Sequence, residues 1–137
     1  MSPRTYLLDT NILLTTAISP ERLPPETQEW LINPTNTIFF SAANIWEIGI
    51  KRSLNREGFD FFPEDIHRLA LDMGFSEFSV KSEHCYAIAR MPWHHRDPFD
   101  RILIAQAQSL PAYFLTTDKL LCKYSDLVIP ITLSTPS

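Results

Sequence analysis

Three short stretches of this chain, Tyr6-Leu7-Leu8, Ile38-Phe39-Phe40 and Tyr113-Phe114-Leu115, are apolar without interruption instead of alternating with polar residues. A strand apolar on both faces has no face to offer water, so it belongs in a sheet covered on both sides. The residues between these stretches follow helical patterns. Strands alternating with helices give a parallel sheet, because a parallel connection needs a crossover element. That combination restricts the chain to an α/β fold and sets where a ligand sits, beyond the carboxyl ends of the strands.

The element boundaries follow from local signals. Strand Tyr6–Leu8 ends at Asp9, after which Ile12, Leu13 and Leu14 begin a helix. Pro24 and Pro25 suit the first turn of a helix running through Trp30 and Ile32. Strand Thr37–Phe40 leads to Ser41, the cap of a helix from Ala42 to about Leu54 that is apolar on most of its circumference and is expected to be largely buried. Pro63 at the first helical position, with Glu64 and Asp65 in the first turn, opens a helix ending near Gly74. A strand over Phe75–Val80 and a helix over Ser82–Arg90 follow. Asp97-Pro98 opens a helix that continues to Ser109. Tyr113–Leu115 runs into Thr116-Thr117-Asp118 and a short helix, and Val128–Ile131 is a fifth strand.

At 137 residues, 45% of them hydrophobic and 20% charged, the chain suits one domain over 1–137 with a real core. No apolar run reaches the roughly 20 residues that cross a bilayer. Met1-Ser2-Pro3-Arg4, followed at once by Asp9 and Asn11, is not the pattern of a secretory signal. Cys85 and Cys122 have no ligand-type spacing and read as reduced, core or half-buried thiols of a cytoplasmic protein. The formal charge of -4 argues against a nucleic-acid binder held by a basic surface. It does not exclude a nuclease, since a site built of carboxylates lowers the net charge by itself. Basic residues gather in two places, at Arg90, His94, His95, Arg96 and Arg101, and at Lys51, Arg52 and Arg56.

Four acids stand out. Asp9 lies directly after a strand and reads equally as the N-cap of the next helix or as a ligand. Glu47 is the only acid among Ile45, Trp46, Ile48 and Ile50. It is either half of an exposed ion pair with Lys51 or a buried carboxylate in need of a cation. Asp97 before Pro98 is an N-cap, which puts Asp100 at the third helical position. Asp100 is then a capping-box acid, or an acid whose ionised form is favoured by the helix N-terminus. Asp118 caps the short helix after Thr116-Thr117, or serves as a metal ligand with the Thr116 hydroxyl holding a water or a neighbouring carboxylate. Among the remaining residues, His94-His95 reads as a solvated loop or a phosphate contact, and His67 and His84 as helix-surface or half-buried. Trp30, Trp46 and Trp93 read as packing.

Asp9-Thr10-Asn11 after an apolar strand, Ser41…Trp46-Glu47 on a helix, Arg96-Asp97-Pro98-Phe99-Asp100-Arg101 and Thr116-Thr117-Asp118 resemble, in order and spacing, the PIN domain, and most of all its VapC-type toxins of type II toxin–antitoxin modules. The likeness runs from Tyr6 to Ile131. It implies a PIN-like three-layer α/β/α domain with a central, mainly parallel five-stranded sheet and the acids at one edge. It implies a Mg²⁺- or Mn²⁺-dependent endoribonuclease with Asp9, Glu47 and Asp100 as core acids, Asp118 as the fourth, and Asn11 and Thr116 in support. A homodimer inhibited by a cognate VapB-type antitoxin is also implied.

Carboxylates crowded together repel by roughly 4 kcal/mol at ~4 Å for an effective dielectric of 20, so such a cluster calls for a cation, and oxygen ligands select a hard one. The expected reaction is attack of activated water on an RNA phosphodiester, giving 5′-phosphate and 3′-hydroxyl ends. Two other readings are open. One is a phosphatase with a strand-end Asp nucleophile, which expects an acid where Asn11 stands. The other is a catalytically inactive PIN-like module that binds RNA or serves as a scaffold.

Overall fold

The computed structural model describes residues 2–93 and 97–135. Five strands, β1 (Thr5–Leu8), β2 (Thr37–Ser41), β3 (Ser76–Phe78), β4 (Tyr113–Thr116) and β5 (Val128–Pro130), form one sheet in the order β3-β2-β1-β4-β5. Every pairing is parallel. Among the described residues six α-helices accompany it: α1 (Thr10–Ile18), α2 (Pro25–Ile32), α3 (Ala42–Ser53), α4 (Pro63–Asp72), α5 (Ser82–Ile88) and α6 (Pro98–Ser109), with 3-10 turns at Pro20–Arg22 and Lys119–Lys123. The expected α/β/α architecture with a parallel five-stranded sheet is what forms.

Alternation of side chains along each strand divides the apolar runs between two cores. Tyr6, Leu8, Ile38, Phe40 and Leu115 point to one face, where Ile12, Leu13, Leu31 and Ile66 bring in α1, α2 and α4. Leu7, Phe39 and Phe114 point to the other, where Ile102, Leu103, Ile104 and Ile88 bring in α6 and α5. Helix α3 reaches both layers, with Ile48 in the first core and Ala43 in the second. It is less buried than its composition suggests. Ala43, Asn44, Glu47 and Ile48 face inward, while Trp46 is 59% exposed with its ring edge-on to Phe99 at 5.0 Å.

The topology decides where the site lies. From β1 the chain moves outward to β2 and β3, then crosses back to β4 on the other side of β1. The strand order therefore reverses between β1 and β4, and a crevice opens at their carboxyl ends. Helix α6 leads into β4 and runs opposite to it, so its first turn starts at that same edge. Asp100, at the third position of α6, is thereby brought to the same edge as Asp9.

Candidate active site

Asp9 leaves β1 in an extended conformation (φ -66, ψ 159) and caps α1. Its Oδ1 accepts from the Thr10 amide at 2.7 Å, and its Oδ2 accepts from Thr116 Oγ1 at 2.6 Å. Cap and site are thus the same carboxylate. Asp9 is only 6% exposed, and burial pushes its pKa up to about 6, with repulsion from Glu47 and Asp97 adding to the effect and the two hydrogen bonds opposing it.

Glu47 is 5% exposed on the inner face of α3. Its Oε1 accepts from Thr10 Oγ1 at 2.6 Å, and its Oε2 accepts from the Lys51 ammonium. The ion pair with Lys51 exists, but it lines a cleft and is not a solvated stripe. The Lys51 ammonium also lies 4.9 Å from the centre of the Phe59 ring, where the ring face favours a cation. Asn44 ties these groups to the fold. Its Oδ1 accepts from the Ser41 amide at 2.7 Å, and its Nδ2 donates to Leu8 O at 3.2 Å and to Thr10 Oγ1 at 3.0 Å. With Ser41 Oγ capping the Ala43 amide at 3.0 Å, this reciprocal cap fixes where α3 begins and hence where Glu47 stands.

At the start of α6, Asp97 Oδ1 accepts from the amides of Phe99 at 2.9 Å and Asp100 at 3.4 Å, which is the expected N-cap. Asp100 is buried, and its pKa is pushed up to about 8, first by burial and then by Asp9, Asp97, Glu47 and Asp118. The helix N-terminus favours its ionised form, as the sequence suggests, but does not decide the balance. A helix end offers about half a positive charge, and burial among four carboxylates outweighs it. Asp118 caps the 3-10 turn through Leu120 N at 2.9 Å, while its own amide donates to Thr116 Oγ1 at 3.1 Å. Thr116 thus holds a carboxylate by its hydroxyl, one of the two roles foreseen for it. Asn11 Nδ2 donates to Thr117 Oγ1 at 3.4 Å beside the same opening.

Asp9, Asn11, Glu47, Asp100 and Asp118 all line one cleft of about 320 Å³ at the carboxyl edge, with Thr116 directly behind Asp9. Asp97 lines it too, although the sequence places that residue outside the cluster. Being a cap fixes its backbone but does not keep its charge out of the cleft. Thr10 and Asn44 are further residues that the sequence reasoning passed over, and Lys51, read there only as the partner of an exposed pair, lines the cleft. The Ser41-x-x-Asn44 capping spacing was a signal for Asn44, whereas nothing local marks Thr10.

The donor set suits a hard divalent cation. It is all oxygen, and two of its buried acids, Asp9 and Asp100, are raised in pKa, which marks a shortage of positive charge. Among the described residues no group of three or more His, Cys, Asp or Glu side chains is already arranged to hold a metal ion.

With this geometry described, the relationships of the chain become informative. A family model for the PIN domain matches residues 6–127. The chain belongs to the PIN domain family. Among curated proteins no sequence matches. Several solved structures share the fold. VapBC2 from Rickettsia felis, bound to a DNA fragment from its promoter, superposes with a TM-score of 0.70 at 14% identity over 93% of this chain and 98% of that one. VapBC-1 from nontypeable Haemophilus influenzae gives 0.59 at 15% identity over 92% and 97%. A domain of a functionally unknown protein from Methanocaldococcus jannaschii gives 0.61 at 14% over 98% and 95%. The PIN fold thus has its β1/β4 crevice lined here by five acids and one lysine.

Other residues of this PIN domain correct the sequence reading. Arg101, one of the crowded basic residues, is buried: its guanidinium donates to Ile88 O and Pro92 O at 3.1 Å and to Tyr124 Oη at 3.2 Å, beneath the exposed Trp93. His84 is buried, not superficial, with Nδ1 accepting from the Lys81 amide at 2.9 Å. Cys85 and Cys122 are exposed, because they fall on the outward faces of α5 and the 3-10 turn. His94, His95 and Arg96 lie outside the described residues. No helix among the described residues is long and apolar enough to cross a membrane.

Proposed function

We propose that this chain is a Mg²⁺- or Mn²⁺-dependent endoribonuclease and the toxin of a VapBC-type pair. The observation that supports this reading best is the meeting of Asp9, Glu47, Asp100 and Asp118 in one cleft at the β1/β4 crevice, with burial and crowding raising Asp9 and Asp100. These four acids would hold the cation. When bound, it supplies Lewis-acid chemistry, polarising a phosphodiester and making water acidic enough to attack at neutral pH.

The protein's own groups do the positioning. The Thr10 amide and the Thr116 hydroxyl fix both oxygens of Asp9, so the carboxylate does not reorganise on loading. Thr10 Oγ1 and Lys51 do the same for Glu47. Lys51 is the one cation among the described residues lining the cleft, and its ammonium serves to receive a phosphate oxygen. Asp100 gives up the proton that its raised pKa retains at neutral pH. Both Asp9 oxygens already accept hydrogen bonds, and Asn11 stands where a phosphatase would place a second acid, so the Asp-nucleophile reading gains no support.

The partner in this reading is a VapB-type antitoxin, and the assembly is a homodimer. Two structurally similar chains come from proteins described as VapBC, which supports the first of these. The test is cleavage of RNA with Mg²⁺ or Mn²⁺, with mapping of both new ends. Products with 5′-phosphate and 3′-hydroxyl, lost in EDTA and in Asp100→Asn, are expected. Cyclic 2′,3′-phosphate ends or full activity in EDTA would overturn the mechanism. Growth inhibition by Asp100→Asn equal to that of the parent would favour a binding module.

A further inference from the structure

A second, larger opening adjoins the acid cleft. It measures about 670 Å³, within the range of about 300–1,000 Å³ usual for small-ligand clefts. Asn11 and Thr117 line both openings, so their hydrogen-bonded side chains form a shared wall between them. The two spaces differ sharply in charge. Among the described residues five acids line the first, whereas Arg22 and Lys119 and no acid line the second.

The second opening also has an apolar wall, built from Ile18, Phe61 and Leu133. It is held in place from two sides. Arg22 Nε donates to Ser134 O at 2.9 Å, and Ser134 N donates to Arg22 O at 2.9 Å, which pins the segment after β5 along the first 3-10 turn. Arg22 keeps its terminal guanidinium nitrogens while its Nε serves as a strut. An apolar wall beside two cations matches the two halves of a nucleotide, a base with apolar faces and an anionic phosphate.

We propose that this opening is a nucleotide subsite that holds the residue of an RNA strand next to the phosphodiester in the acid cleft, with the base against Ile18, Phe61 and Leu133 and its phosphate toward Lys119 and Arg22. The inference rests on the endoribonuclease reading of the adjoining cleft. It explains how a chain with a formal charge of -4 draws a polyanion to a wall of carboxylates. The attraction is local and lies one nucleotide away. A basic peptide is the poorer occupant, since both charged side chains of the opening would repel it.

The test is binding of a fluorescein-labelled RNA pentanucleotide, in Mg²⁺, to the full chain carrying Asp100→Asn to silence cleavage. Ile18→Glu and Lys119→Glu are added to that parent singly and together. Both positions are exposed, so the variants fold. The double variant should bind at least tenfold more weakly, and Lys119→Ala alone should reduce the salt dependence of binding by about one phosphate contact. In chains with Asp100 intact, Mn²⁺ affinity by calorimetry should change less than twofold. RNA affinity within twofold of the parent in the double variant overturns the subsite, as does loss of antitoxin binding with RNA affinity unchanged. The two readings fail separately. If RNA binds and the variants lose it, but no chain cleaves, the subsite stands and the nuclease falls. If the wild type cleaves and Ile18→Glu/Lys119→Glu cleaves with an unchanged KM, the nuclease stands and the subsite falls.

Discussion

Thr116 Oγ1 donates to Asp9 Oδ2 across 2.6 Å, joining two buried residues 107 positions apart. The bond holds the ionised form of Asp9, because a hydroxyl donor stabilises a carboxylate more than a carboxylic acid. Thr116→Val keeps the shape and removes the donor. The Asp9 pKa should then rise above about 6. The loss of stability should be about 1–3 kcal/mol at pH 8 and smaller at pH 5, where Asp9 is already protonated. Urea unfolding at the two pH values checks this, and an equal loss at both would dissociate the hydroxyl from the charge on Asp9.

Asp9 and Asp100 have folded-state pKa values raised from 3.8 to about 6 and about 8. For a raised group the stabilising contribution is complete below the unfolded pKa and is lost as pH climbs through the folded one. Without divalent metal the protein should therefore lose stability from about pH 4 to pH 8. Asp100→Asn should flatten the upper part of that decline and stabilise the metal-free chain at pH 8 by on the order of 1–3 kcal/mol. A metal-free stability that increases between pH 5 and 8 would contradict the raised values.

Metal loading should release protons. At pH 7 Asp100 is largely protonated and Asp9 largely ionised, so a bound cation should displace close to one proton, and affinity should increase from pH 6 to pH 8. Calorimetric titration of Mn²⁺ in two buffers of different ionisation enthalpy measures the number directly. EDTA should lower the melting temperature of a loaded sample at pH 8 and leave the metal-free sample unchanged.

Lys51 balances Glu47 inside the cleft while its own side chain is 26% exposed. Lys51→Met should destabilise the metal-free protein by roughly 1–2 kcal/mol, less than a fully buried pair because the ammonium is partly solvated. In the double variant with Glu47→Gln most of that loss should vanish. A double-mutant cycle by thermal unfolding without metal reads the coupling, and additive losses would mean the pair contributes nothing.

Asp97 performs two tasks that a pair of substitutions separates. Asp97→Ser keeps a capping oxygen and removes the charge, so stability should hold and the Asp100 pKa should fall below about 8. Asp97→Ala removes both, at a further loss of about 1 kcal/mol. Equal stability of the two would show that the cap is not held by this side chain.

How much of this was legible before any coordinates depended on whether a role was local. Asp9 and Glu47 announce themselves by a strand end and by an acid stranded on an apolar helix, whereas Asp100 and Asp118 pass locally as caps and stand out mainly through the resemblance. Cap positions such as Ser41 and Asp97 follow from a few neighbouring residues. The Thr10 hydroxyl gave no such sign, since its partners Asn44 and Glu47 are 34 and 37 residues away and meet it only after β1 and β2 pair. The burial of Arg101 was illegible for a related reason, because the carbonyls of Ile88 and Pro92 converge on it only in the folded chain. The parallel sheet was readable from three apolar runs, while the charge of Asp97 reached the cleft through an angle of entry that no spacing encodes.

The distance in sequence between Thr116 and Asp9 also sets when a site can exist. Strand β1 borders the crevice on one side, and its partner there, β4, is synthesised more than 100 residues later; the Asp9 amide itself bonds Leu115 O at 2.9 Å. A nascent chain on the ribosome carries Asp9 and Glu47 early but has neither Asp100 nor the strand that braces Asp9. Half-made copies therefore hold an incomplete set of acids with no crevice to gather them. On the proposed reading, the chemistry waits until translation has passed β4, and an antitoxin that recognises the finished edge has no need to guard the unfinished one.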